Sequence, residues 1–313
     1  MSTTPSTPVL PDRPTGGSGR RRNAIIAIVV AVVVVLGAGG FALGHDGGST
    51  RKTVTIGTTE ASEPYWTPLK KLAADHGIDI KLVSFSDYTQ ANPALAQGQT
   101  DLNLFQHLLF LASYNVKSHQ HLTPIGSTVV VPLGLYSKKH TSLSQIPRGG
   151  KVAIPNDPTN QARALLVLQQ AGLVTLKDGG SVLSTPADVE KAASKVSVVP
   201  VDAAQTVTSL PSVDAAVINN NFALDAKLDP SKALYNDDPK KPQAQPYINA
   251  FVARAADKDN PTYLEIARLY HAPTVVKAEE KSSKGTAVVV DKPRADLVKI
   301  LDGLETTLRK SNS

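Results

Sequence analysis

"TVTIGTTEASEPYWTPLKKLAADHGIDIKLVSFSDYTQANPALAQGQTDLNLFQ" (Thr53–Gln106) decides the fold. "TVTIGTT" alternates apolar and polar residues, the period of a half-buried strand. In "PLKKLAADHG", Leu69, Leu72 and Ala73 recur at helical spacing and Gly77 stops the run. "IDIKLVSF" reads as a second strand. "NPALAQG" reads as a short helix start with Pro93 in its first turn and Gly98 after it. "TDLNLFQ" reads as a third strand. Strand, helix, strand, helix, strand predicts a mostly parallel sheet covered by helices.

The alternation restarts further along. After the β-rich stretch "LTPIGSTVVVPLGLYSKK", the strand "KVAIPND" is followed by the helix "TNQARALLVLQQAG" and the strands "VSVVPV" and "DAAVINN". "INAFVARAAD" then reads as a strand and "NPTYLEIARLYHA" as a helix. "PRADLVKILDGLETTLRK" is a final amphipathic helix, with Leu297, Ile300, Leu301, Leu304 and Leu308 on one face. "GQTDLNLFQH" and "PSVDAAVINN" share a turn, an Asp, an apolar strand and a polar strand end, so two similar α/β lobes are expected. Ligands of α/β sheets sit at the carboxyl ends of strands. Those ends carry Phe105-Gln106-His107, Asn156-Asp157-Pro158 and Asn219-Asn220-Asn221.

The 313 residues carry a net charge of +6, unevenly placed. Of 33 basic and 27 acidic residues, six and two fall in residues 1–52; 27 and 25 remain in 53–313, a net of +2. No basic stripe suits a phosphate backbone, so nucleic acid is not an expected partner. There is no cysteine, which excludes disulfides, thiol catalysis, cysteine-ligated metals and a lipid on an N-terminal cysteine.

Residues 1–19 are rich in Pro, Ser, Thr and Gly and read as disordered; with Arg20–Asn23 they make a cytoplasmic tail, residues 1–23. Ala24–Leu43 is a run of 20 uncharged residues behind Arg20-Arg21-Arg22. At about 1.5 Å per residue it just crosses a ~30 Å hydrocarbon layer. The positive-inside rule then puts residues 44–313 outside the cell, with 44–52 as a tether. A cleaved signal peptide is the rival reading. Its apolar core is usually ~7–15 residues, and the length here favours an uncleaved single-pass anchor.

"IPNDPTNQARALLVLQ" (154–169) carries most of the site chemistry. Asp157 suits an N-cap and Pro158 the first helical turn. Arg163 lies near that helix start, where a guanidinium can grip a carboxylate with two parallel hydrogen bonds; a solvated surface arginine is the alternative. In "DAAVINNNFA" an asparagine amide can accept from an ammonium and donate to a carboxylate, or merely shape the turn. Tyr88, Phe105, His107 and Phe110 can build an apolar slot with a polar rim, although Phe110 taken alone suits a core better than a pocket. Enzyme signatures are absent: no G-x-S-x-G, P-loop or H-E-x-x-H occurs. "HQH" (119–121) lacks an acidic partner, and "DKDNPTYLE" lacks the glycine of a calcium loop and is too short, so no metal is expected.

Four segments, "DYTQANPALAQGQTDLNLFQH", "VAIPNDPTNQARALLVLQ", "DAAVINNNFAL" and "YINAFVARAADKDNP", resemble the NlpA/MetQ family, the substrate-binding proteins of methionine-type ABC importers. The resemblance runs from about Val54 to the C-terminus in the expected order. It implies a periplasmic-binding-protein type II fold, two α/β lobes around a ligand cleft, here preceded by an N-terminal transmembrane helix. The binding domain would be 53–313, with lobe 1 about 53–132 and 246–313 and lobe 2 about 133–245. By the same resemblance Arg163 holds the ligand carboxylate, with Asn160 in its motif. Tyr88, Phe105 and His107 surround the side chain, and Asn219 lies near the amino and carboxylate groups. Tyr65, Phe110 and Asn221 complete the candidate set. The implied ligand is L-methionine or a similar amino acid; another apolar amino acid or a short peptide is the alternative. The implied partners are an ABC permease and its ATPase, and no cofactor or catalysis is expected. Two departures stand out. Phe110 replaces the tyrosine of the family's "FQHxPYL", and "TTEASEPYW" replaces its Gly-Pro-His.

Overall fold

The structure, a computed structural model, describes residues 51–311. The anchor expected at 24–43 and the tail before it lie outside the described residues. Among these, no helix is long and apolar enough to cross a membrane.

The chain opens with β1 (Lys52–Thr58), α1 (Trp66–Asp75), β2 (Ile78–Ser84), α2 (Tyr88–Ala96), β3 (Leu102–Asn103), α3 (Leu108–Ser118) and β4 (Thr123–Ser127). There follow β5 (Val129–Val130), β6 (Gly134–Tyr136), β7 (Gly150–Pro155), α4 (Pro158–Gln170), β8 (Val196–Val201), α5 (Thr206–Ser209), β9 (Ala215–Ile218), α6 (Asn220–Asp225) and β10 (Tyr235–Asn236). The last stretch holds β11 (Ala250–Ala253), α7 (Pro261–Tyr270), α8 (Pro273–Ser282), β12 (Val288–Val289) and α9 (Arg294–Ser311).

These strands form two five-stranded sheets and one short pair, β12 with β5. The first sheet runs β2-β1-β3-β11-β4. β1 is parallel to β2 and β3, as the opening stretch predicts, and β11 runs antiparallel to β3 and β4. The second sheet runs β10-β6-β9-β7-β8. β7 is parallel to β8 and β9, and β6 is antiparallel to β9 and β10. The chain thus crosses from the first sheet to the second after β4 and returns before β11, so each lobe has its own core. One core packs Val54, Ile56 and Leu69 against Phe251, Ile266 and Tyr270. The other packs Val152, Ile154, Leu165 and Leu168 against Leu135 and Val217. β9 is buried at every position, which explains its unbroken apolar run.

Two local readings differ from the fold. The second helix starts at Tyr88, well before Pro93, because the Asp87 side chain accepts from the Thr89 N–H at 2.7 Å and caps it there. β3 is only two residues long. Beyond it the chain leaves the strand: Leu104 N–H still donates to Gly57, but Gln106 C=O accepts from Ala250, and His107 bridges to Asn249. That departure aims Phe105, Gln106 and His107 away from the sheet and starts α3, which the sequence reading did not separate from the strand.

Gly126 in β4 shows how tightly α7 seats on the first sheet. A Cβ there would lie 2.7 Å from the Cβ of Ala267, and neither atom belongs to a side chain that can swing away. Gly126→Ala should therefore lower the unfolding free energy by about 1–3 kcal/mol, the usual cost of overpacking. Urea unfolding of the variant checks this; an unchanged midpoint would show that α7 shifts freely.

Candidate ligand-binding site

A narrow cavity lies where the elements after β3, β7 and β9 meet. Its walls include Tyr88, Phe105, Gln106, His107, Phe110, Asn160, Arg163, Asn219, Asn220, Asn221 and Asn249. Eight of the nine residues singled out in the sequence are brought together here. Tyr65 is not. It is 2% exposed, packs on Trp66 and Tyr270 in the first core, and sends its hydroxyl to Glu60 Oε2 at 3.2 Å.

The aromatic slot is built by four rings. Tyr88 stacks on Phe105 with centroids 6.1 Å apart, and Phe110 meets both edge-on at 6.0 and 5.8 Å. His107 closes the group, edge-on to Phe110 at 6.3 Å. Such edge-to-face pairs fix ring positions as well as burying area. The phenylalanine at position 110 therefore serves as cavity wall.

Asn160 is the polar hub of the cavity. Asp157 caps α4 by accepting from the Asn160 N–H at 2.9 Å, and both its carboxylate oxygens accept from Asn160 Nδ2 at 3.1 Å. A carboxylate only accepts, so the Asn160 amide cannot be turned round and its Oδ1 must face donors. Asn219 Nδ2 donates to it at 2.9 Å, and His107 Nε2 lies 3.3 Å away. His107 Nδ1 accepts from the Phe110 N–H at 3.1 Å, which leaves the ring proton on Nε2. Burial, and then the nearby Arg163 charge, lower the His107 pKa to about 3, so the ring is neutral. Burial holds the Asp157 carboxyl above its usual range against the hydrogen bonds it accepts.

Arg163, one turn into α4 and 4% exposed, is not a surface residue. Its two-bond fork grips Asp237, however, with Nε to Oδ2 at 2.7 Å and Nη2 to Oδ1 at 3.1 Å. Nη2 also donates to Val131 C=O at 2.8 Å, and the guanidinium stacks over Tyr247 at 4.1 Å. A buried cation requires such compensation. Among the described residues only Nη1 makes no hydrogen bond, so the arginine's fork is already occupied and Nη1 is the donor it has left. Asp237 also accepts from the Leu133 N–H at 2.8 Å, tying the crossing chain to the same pair.

Three further polar atoms complete the picture. Asn219 Oδ1 and Asn221 Nδ2 are buried without a partner among the described residues. Tyr88 hydroxyl donates to Asn221 Oδ1, which turns the asparagine's Nδ2 to the other side. One unpaired acceptor, Asn219 Oδ1, and one unpaired donor, Asn221 Nδ2, thus border the aromatic slot together with Arg163. Gln106, read in the sequence only as part of a polar strand end, also lines it, as do Asn249 and Glu60, which were not singled out there. Asn249 sits within "YINAFVARAAD", but only its bridge to His107 brings it to the cavity. Glu60 belongs to the divergent "TTEASEPYW".

Two α/β lobes around a polar-rimmed slot define a two-lobed binding-protein architecture. The family model "NlpA lipoprotein" matches residues 54–290, and the chain belongs to that family. It is 37% identical over 223 residues to the D-methionine-binding lipoprotein MetQ of Escherichia coli K12, covering 70% of this chain and 81% of the relative. Among solved structures it resembles the substrate binding protein of a methionine transporter from Streptococcus pneumoniae. That match has a TM-score of 0.69 at 36% identity and covers 76% of this chain and 95% of the other. It also resembles a nutrient binding protein from Burkholderia cenocepacia bound to methionine, with a TM-score of 0.70 at 37% identity, covering 75% and 99%.

Two outcomes follow from the geometry. Arg163→Ala strands Asp237 and should lower the unfolding free energy by about 3–5 kcal/mol, with Asp237→Asn in the same chain restoring part of it. Chemical denaturation of the single and double variants checks this coupling; additive effects would contradict it. His107 has a folded pKa of about 3, below its ordinary 6.5. Its contribution to stability is therefore complete above pH 6.5 and is lost as pH falls toward 3. At pH 4 the loss should be about 3 kcal/mol relative to neutral pH. His107→Gln should remove that component, read as a flatter stability profile between pH 6.5 and 4.

Proposed function

We propose that this chain is the substrate-binding component of an ABC amino-acid importer and that it binds L-methionine. The observation that carries the reading is the set of unpaired groups around one aromatic slot. Asn219 Oδ1 offers an acceptor and Asn221 Nδ2 a donor, both buried and unpaired, and Arg163 borders the same cavity. An amino acid presents the complement, an ammonium and a carboxylate, and each orphaned buried group costs about 1–3 kcal/mol until it is paired. Arg163 would take one carboxylate oxygen through Nη1, Asn221 would assist, and Asn219 would accept from the ammonium. Tyr88, Phe105, His107 and Phe110 would hold the side chain, and Asn160 would fix His107 and Asn219. A thioether suits this wall because sulfur packs well on ring edges, at about 0.3–1.5 kcal/mol per contact. The names of the relatives support methionine.

On this reading residues 53–132 with 246–313 close on 133–245 about the crossings, trapping the ligand for a permease driven by a partner ATPase. The chain itself performs no chemistry. Ala24–Leu43 would hold it to the cell membrane with the binding domain on the extracytoplasmic side.

A thermal-shift panel on ligand-stripped full-length protein tests the ligand. A ligand at 100 times its Kd adds about 2.7 kcal/mol, which in a domain of this size raises Tm by about 5–10 °C. L-Methionine should give the largest shift, L-leucine less, and L-glutamate and L-lysine almost none, since their charges would be desolvated. A larger shift from a non-sulfur amino acid would replace methionine as the ligand. No shift from any amino acid or short peptide would overturn the importer reading.

A further inference from the structure

Beyond Glu60 the cavity continues into a second compartment, lined by Glu60, Glu63, Tyr65, Thr128, Tyr270 and Glu279 among others. Three carboxylates face this space, and none forms an ion pair among the described residues. Their hydrogen-bond partners are weak: Tyr65 hydroxyl reaches Glu60 at 3.2 Å and Tyr270 hydroxyl reaches Glu279 at 3.4 Å. Two buried groups beside the acids have no hydrogen-bond partner among the described residues. Thr128, 1% exposed, has an unpaired Oγ1, and Asn221, 6% exposed, has an unpaired Nδ2. No cluster of His, Asp or Glu among the described residues has the arrangement of a metal site.

Burial, reinforced by mutual repulsion, raises the carboxyl groups of Glu60, Glu63 and Glu279 above their ordinary range, with Asp225 a further acid near the first two. Glu60 is also the acid that most affects the Tyr88 hydroxyl, after burial, so its charge lies beside the aromatic slot. Glu60 borders both compartments, whereas Arg163 borders only the main cavity and an outer groove along α9. The slot is therefore bordered by an arginine already paired with Asp237 and by a buried acid that has no counter-charge among the described residues.

We propose that Glu60 receives the ammonium group of the ligand, with the Thr128 hydroxyl beside it, so that the cleft selects ligands by their cationic end as well as their carboxylate. This rests on the amino-acid reading above and adds to it a charged acceptor next to the Asn219 amide. An ammonium donates three hydrogen bonds, and Glu60, Thr128 and Asn219 supply acceptors of matching number and sign. A charge-assisted bond to a carboxylate is stronger than one to an amide, so Glu60 dominates the recognition. The ammonium has two possible sources, the α-amino group of a free amino acid or the N-terminus of a short peptide whose first residue extends into the acidic compartment.

Calorimetry on the ligand-stripped full chain separates these. The probes are L-methionine, its desamino analogue 4-(methylsulfanyl)butanoate, alanyl-L-methionine and N-acetyl-alanyl-L-methionine. Glu60→Gln should weaken the ammonium-bearing member of a pair by about tenfold or more and leave its ammonium-free partner unchanged. Which pair responds identifies the source. Thr128→Val, which removes only the hydroxyl, should reproduce the pattern more weakly, and carries the test if Glu60→Gln does not fold. Equal losses within a pair, or no loss, overturn the assignment to Glu60 while leaving amino-acid binding intact. Failure of the wild-type chain to bind any of the four overturns the amino-acid reading and this assignment with it.

Discussion

The Asp157–Asn160 pairing is the constraint on which the rest of the cavity depends. A helix N-terminus exposes N–H groups that need acceptors, and Asp157 meets that need by capping α4. Here the capping carboxylate also accepts from the side chain of the residue it caps. That second interaction removes the freedom of the Asn160 amide, and every downstream orientation follows from it. The Asn219 amide orientation, and hence the unpaired Asn219 Oδ1, is a consequence of one carboxylate that can only accept, and the His107 tautomer set by the Phe110 N–H matches it. Because Asn160 and Asn219 follow strands of the second sheet and His107 follows β3 of the first, the same hub joins the two lobes.

The lobes are held together by few direct contacts, and their strengths differ. Tyr88 to Asn221 and His107 to Asn160 are buried polar contacts, where low dielectric raises both their strength and the cost of losing them. Ser62 to Asp225 and Lys284 to Asp229 are exposed. Lys284 holds the Asp229 carboxyl down to about 2, yet an exposed ion pair of this kind contributes little once solvent and salt screen it. Closure is thus governed at the floor of the cleft, where a ligand would complete the hydrogen bonding, and only trimmed at the rim.

Much of this was legible in the sequence because the relevant physics is local. Alternation at Val54 and Ile56, the Asp157-Pro158 cap and the apolar run of β9 are each set by neighbours a few residues away. The capping of α2 by Asp87 was local too, but Pro93 competed with it as a start signal, and a cap with a satisfied side chain outweighed the proline. What stayed hidden depends on distant pairing. Asp237 lies 74 residues from the arginine whose fork it occupies, and nothing near Arg163 signals it. Asn249 reaches the cavity only through the register of β11 beside β3. Glu60 and Glu279 meet because α8, unread in the sequence, packs against α1 and carries its one buried acid to the segment after β1.

The divergent segment after β1 then acquires a physical meaning. Trp66 is 3% exposed and its Nε1 donates to the Glu60 C=O at 2.8 Å, while Glu63 N–H donates to the same oxygen at 3.0 Å. Two donors on one carbonyl lock the backbone of Glu60, and the Tyr65 ring, wedged between Trp66 and Tyr270, locks the rest of the turn. The two aromatic residues therefore act at one remove from the cavity, by fixing where the Glu60 carboxylate points. A buried acid held this rigidly cannot relax toward water to relieve its charge. Such a group is either protonated and neutral or, when ionised, needs a cation beside it. Arg163 presents the opposite case: its charge is already matched by Asp237, so what the guanidinium has left to offer is directional hydrogen bonding rather than a free charge.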